Sequence, residues 1–144
     1  MIKNLVIVNN EENRIEKKLV HKIVKKLVED FNFSIKNVQI NFINSKEIKK
    51  INNKYLKHNY STDIITFNYS ETKKELDGEI YISIEDVASN SEKYKVTFME
   101  EVLRLIIHGF LHLLGYDDKD KKNKVIMKRL EDKLFNQYRM LFIN

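Results

Sequence analysis

Residues 97–115 read TFMEEVLRLIIHGFLHLLG, and the reading of this stretch decides the fold. Thr97 stands where a helix N-cap belongs, and Glu100 follows three residues later as its capping-box partner. Gly115 can take the left-handed conformation that ends a helix. The spacing therefore predicts a helix over 97–114. Its residues are apolar almost all round, so the helix belongs in the interior, at the centre of the fold. It is not a membrane span: Arg104, His108 and His112 interrupt the apolar run, which falls short of the roughly 20 residues that cross a bilayer.

Working upstream, LVIVNN (5–10) reads as a short strand. NRIEKKLVHKIVKKLVEDF (13–31) is an amphipathic helix with a lysine-rich outer face, and the lone His21 beside its apolar stripe is a structural or exposed residue. VQINFI (38–43) alternates as a strand does. Ser45 is expected to cap a helix over KEIKKINNKYL. STDIITFNY (61–69) is a strand, SETKKELDG a polar connection, EIYISI (79–84) a strand, and Glu85–Tyr94 a helix. Downstream, apolar Val125, Ile126, Leu130, Leu134 and Phe135 mark a last amphipathic helix beginning after Asp120. The order β-α-β-α-β-β-α-α-α, with no linker or repeat, implies one α+β domain over residues 1–144. The expected architecture is a mixed four-stranded sheet packed with about five helices, its central buried helix carrying the histidine pair.

The 144 residues are 42% hydrophobic and 33% charged, a globular balance. Cysteine is absent, which excludes disulfides, thiolate metal sites and cysteine nucleophiles. The N-terminal apolar run is too short for a signal peptide, so the expectation is a cytoplasmic protein with no membrane association, and a monomer. The net charge is +5, but lysine outnumbers arginine 22 to 4 and alanine occurs once, a bias that an AT-rich coding sequence explains. The distribution is more informative than the total. Residues 119–139 hold eight basic and three acidic side chains, so this segment carries the whole net charge. It is either a surface for a polyanion or a solvated helix face.

His108 and His112 lie four residues apart, so on a helix both rings project from one face, one turn apart. After the turn at Gly115, Tyr116, Asp117 and Asp118 can return to that side. Two helical imidazoles and a loop carboxylate make a three-ligand zinc site with a free fourth position, the usual catalytic pattern. The bland reading is a hydrogen-bonded core pair. A zinc-protease helix would need glutamate directly after the first histidine, and Gly109 stands there instead. Glu101, two turns before His108, either orients a ligand from behind or is a first-turn charge favouring the helix dipole.

HGFLHLLGYDD (108–118), preceded by Glu101, resembles the H-G-x-L-H-L-x-G-Y-D-H signature of the YbeY family of bacterial endoribonucleases. INNKYLKHNYSTDIITF (51–67) and DGEIYIS (77–83) are similar to two further blocks of that family, in the same order. The resemblance implies a cytoplasmic metal-dependent endoribonuclease acting on single-stranded RNA. The family processes the 3′ end of small-subunit rRNA and serves ribosome quality control. The implied partners are thus rRNA and the ribosomal small subunit.

It also implies zinc, one per chain, on His108, His112 and a third position that here is Asp118, preferred over Asp117 by register. A carboxylate in place of imidazole lowers the site's charge by one and makes Mn2+ less disfavoured. Leu56 stands where the family has an arginine. Lys54, Lys57 and His58 are the nearby candidates for contacting substrate phosphate. That departure leaves a second reading open, a ribosome-associated assembly factor whose metal is mainly structural and whose catalysis is weak.

Overall fold

A computed structural model describes residues 2–9, 15–57 and 62–142. The elements are β1 (Leu5–Asn9), α1 (Lys17–Phe31), β2 (Ser34–Ile43), α2 (Ser45–Leu56), β3 (Ile64–Asn68), β4 (Glu75–Ser83), α3 (Ile84–Tyr94), α4 (Phe98–Leu113) and α5 (Lys121–Tyr138). A short 3-10 turn, Arg139–Phe142, follows α5. The sheet order is β1-β2-β4-β3. β1, β2 and β4 run parallel, and β3 pairs antiparallel with β4, Ile64 opposite Ile82 and Asn68 opposite Gly78.

Alternation along β4 explains the layering. Leu76, Gly78, Ile80 and Ile82 turn to one face and are buried, while Asp77, Glu79 and Tyr81 turn to the other. Against the first face lies α4, whose Val102, Leu103, Ile106, Phe110 and Leu111 are fully buried in the main core. Gly109 permits the approach: a Cβ built there would stand 2.9 Å from Ile80 Cδ1. The position that carries glutamate in a zinc protease is here a contact between helix and sheet. On the opposite face a smaller cluster of Ile43, Ile48 and Ile65 packs with Ile51, Phe67 and Tyr81 beneath α2.

The structure bears out the element order and the central helix and moves several boundaries. β2 begins at Ser34, before Val38, through a register irregularity between Ile35 and Asn37. β4 begins at Glu75, inside the expected connection, because its backbone pairs with β2 from that residue on. The cap of α2 is Asn44, whose side chain accepts from the Glu47 amide at 2.8 Å. Ser45 instead gives both its amide and its hydroxyl to Glu85 Oε1, each at 2.9 Å. The start expected for the first helix falls partly outside the described residues, and α1 begins at Lys17. His21 is buried and accepts the Ile2 amide at 3.3 Å, a structural role.

In α5 the expected apolar stripe holds only in part: Leu134 is buried and Leu130 and Phe135 pack against the core. Val125 and Ile126 are 43% and 45% exposed, and the buried face is Met127, Glu131, Leu134 and Tyr138. Among the described residues no helix is long and apolar enough to cross a membrane.

Candidate metal centre

The capping box predicted for α4 is present. Thr97 Oγ1 accepts the Glu100 amide at 3.1 Å, and Glu100 Oε1 accepts the Thr97 amide at 2.9 Å. So anchored, α4 carries His108 and His112 on one face, with their Nε2 atoms 3.2 Å apart and their ring centroids 4.8 Å apart. The helix ends in a Schellman turn. The Gly115 amide donates to the His112 carbonyl and the Tyr116 amide to the Leu111 carbonyl, both at 3.0 Å, with Gly115 at φ +100°. A residue with a Cβ is strained at that angle, so glycine is what lets the chain double back here. Asn68, at the end of β3, donates to the Leu113 carbonyl and, beside the Gly115 amide, to the His112 carbonyl.

The returning loop brings Asp118 to the histidines. One donor atom from each of His108, His112 and Asp118 lies within 4.8 Å of the others. Two imidazoles and one carboxylate at this spacing suit a divalent cation, and three protein donors leave further coordination positions for other ligands. Burial and the neighbouring His108 hold the His112 pKa below its ordinary value, despite Asp118 and Asp117. A neutral ring at physiological pH keeps a nitrogen lone pair available to a metal.

Behind the triad lies a buried ionic network of which the sequence singles out only Glu101. His108 Nδ1 is 2.6 Å from Glu131 Oε1, and Glu131 is 2% exposed. The second oxygen, Oε2, accepts from Arg104 and Lys128, each at 3.4 Å. Arg104 also pairs with the buried Glu101 and lies 3.7 Å from Asp63. Asn90 donates to both Glu101 and Asp63. Burial alone would raise the Glu131 pKa, but the hydrogen bond with His108 and the charges of Arg104 and Lys128 hold it below the ordinary carboxylate value. Arg104 is raised, because its carboxylate partners outweigh the cost of burial. Glu101 thus reaches His108 only through Arg104 and Glu131.

The triad opens onto two hollows. One, of about 300 Å³, is lined by Thr62, Asp63, Ile64 and Thr66 together with His108, His112 and Asp118. The other, of about 500 Å³, runs between α4 and α5, with Lys124, Lys128 and Arg129 at its rim and Val125 and Met127 in its wall. Thr62 and Asp63 therefore border the triad, and Asp63 also serves the ionic network. Lys54 and Lys57 line neither hollow; Lys54 Nζ sits 5.1 Å from the Tyr55 ring centroid, and Lys57 caps α2 in the left-handed conformation. His58 lies outside the described residues. Leu56 is 42% exposed at the end of α2.

The family model described as Endoribonuclease YbeY matches residues 6–139. The chain belongs to the YbeY family. A YbeY endoribonuclease of Chlorobium limicola is 35% identical over 134 residues, covering 93% of this chain and 92% of that protein. One from Karelsulcia muelleri is 49% identical over 98 residues, 68% of this chain and 69% of that protein. The solution structure of TM1509 from Thermotoga maritima superposes with a TM-score of 0.61 at 27% identity, covering 94% of this chain and 91% of that one. The carboxylate of Asp118, the third position that the resemblance implies, reaches the other two donors.

Proposed function

We propose that this protein is a metal-dependent endoribonuclease that hydrolyses phosphodiester bonds in single-stranded RNA during rRNA maturation, at the 3′ end of small-subunit rRNA and in ribosome quality control. The observation that carries the reading is the convergence of His108, His112 and Asp118 where two hollows meet, one of them rimmed by lysine and arginine. In this reading the three side chains hold one zinc ion per chain, with Mn2+ the next candidate. A divalent cation bound there supplies Lewis-acid polarisation of a phosphoryl oxygen and a lowered pKa for water.

The chain's own residues supply the rest. Lys124, Lys128 and Arg129 neutralise phosphates of the strand, so affinity falls steeply with added salt. Val125 and Met127 offer an apolar wall to an unstacked base. Thr62 and Thr66 offer hydroxyls on the other side of the triad, beside the next nucleotide. Lys54 and Lys57 lie outside both hollows and would meet only a longer stretch of RNA. The ribosomal small subunit is the partner this reading implies, with the protein acting as a cytoplasmic monomer.

The test is metal content and RNA cleavage of wild type and His112→Ala, each purified without added zinc. Stoichiometric zinc and cutting in the wild type, both lost in His112→Ala with the far-UV circular dichroism unchanged, support the proposal. RNA binding without cutting in both proteins would replace it with the assembly-factor reading, in which the metal is structural and Leu56 marks weakened catalysis.

A further inference from the structure

Position 131 lies on the buried stripe of α5, between Met127 and Leu134, where a soluble helix ordinarily places an apolar residue. The chain places glutamate there, and a buried carboxylate is costly unless its partners repay the lost hydration. Its two oxygens face different partners. Oε1 meets His108 Nδ1 at 2.6 Å, and Oε2 faces Arg104 and Lys128. An ionised carboxylate only accepts hydrogen bonds, so the atom opposite Oε1 must carry a proton. With its proton on Nδ1, a neutral His108 has its lone pair on Nε2, the nitrogen that faces His112 Nε2.

We propose that Glu131 is the positioning residue of the metal centre. It fixes the tautomer and the ring orientation of His108, and Arg104 aims it by bridging to Glu101 and Asp63. This rests on the reading of His108, His112 and Asp118 as a metal site. Among the described residues His112 has no such buried carboxylate partner and is held instead through the backbone of Tyr116. The two histidines are thus oriented from different elements, His112 by its own returning loop and His108 by a separate helix. Docking of α5 on α4 and readiness of the site for metal become one event.

Two measurements on the full chain test this. Long-range proton–nitrogen spectra of the metal-free wild type should show a proton on His108 Nδ1; a ring protonated on Nε2 alone overturns the proposal without any variant. Competition between the protein and a chromophoric chelator for zinc should show Glu131→Gln binding about 10- to 100-fold more weakly than wild type, the usual cost of removing such a partner. Asp132→Asn removes the same charge one residue away, from a side chain 56% exposed, and should bind as wild type does.

Zinc binding by Glu131→Gln within twofold of wild type overturns the positioning role. An equal loss in Asp132→Asn does so too, because the effect is then general charge. If zinc binds wild type, is lost in His112→Ala and is unaffected by Glu131→Gln, only this inference fails and the metal site stands. If the wild type takes up no zinc, the reading of the triad fails and this inference with it.

Discussion

Helices α4 and α5 meet at the candidate metal centre, and different forces orient them. Eleven of the sixteen residues of α4 are buried, nearly all apolar, so every turn of the helix is held by the core. In α5 only Met127, Glu131, Leu134 and Tyr138 of eighteen residues are buried, and one of these is charged. The first helix is set by the amount of apolar surface it hides. The second is set by a few specific pairings, because rotating it by one residue would bury Val125 or Ile126 at the expense of the contacts of Glu131. The site therefore lies between a wall set by apolar burial and a wall set by ionic pairing, and the second carries the lysines beside the hollow.

The comparison breaks hardest at the joint between the two helices. Arg104→Met leaves two carboxylates, Glu101 and Glu131, buried without their shared cation. It should cost about 3–5 kcal/mol in urea unfolding of the metal-free protein. A loss below 1 kcal/mol would mean that the network is not what seats α5.

Within α4, Leu103→Ala removes a fully buried side chain and should cost about 2–5 kcal/mol by the same measurement. A surface-like value would mean that α4 is not the core wall described here.

The ends of the two helices are joined by Glu100, which accepts from Thr97 at the start of α4 and from Arg139 just after α5. Burial opposes ionisation, but the Thr97 amide and Arg139 outweigh it and lower the Glu100 pKa. The pairing should therefore stabilise the fold fully above the unfolded carboxylate value, about 4.3, and fade as the pH falls through the lower folded value. The stability difference between wild type and Glu100→Gln, followed by thermal unfolding, should be constant near neutral pH and shrink in acid. A difference that grows in acid would reverse the assignment. The smallest effect is expected on the exposed side of α5, where Val125→Ala and Ile126→Ala should each stay within about 0.5 kcal/mol of wild type. Larger losses would put the apolar stripe back where the sequence pattern had it.

These contrasts follow how legible each helix is. The start, the end and the histidine spacing of α4 depend on residues within a few positions of one another: Thr97 with Glu100, His108 with His112, Leu111 with Tyr116. The turn at Gly115 put Tyr116, Asp117 and Asp118 within reach of the histidines, and the register of the resemblance to the YbeY signature singled out Asp118. Glu131 is 23 residues from His108, and a glutamate among lysines reads as a surface charge. A signal was present in the series Met127, Glu131, Leu134 and Tyr138, which has helical spacing. The neighbouring Val125, Ile126, Leu130 and Phe135 offered a more apolar alternative. Ser45 was displaced as a cap for a similar reason, since Glu85, 40 residues away, claims both its hydroxyl and its amide.

The sequence by itself determined the order of elements, the buried helix, the donor types and their spacing, and the turn that brings the third donor back. Each is a matter of helical periodicity or of a short covalent path. Only the tertiary structure decided which face of α5 turns inward, which carboxylate stands behind His108, and which lysines border the hollow beside the triad. Those choices are made by charges that find each other across long stretches of chain, where burial makes each missing partner expensive and no local pattern records the match.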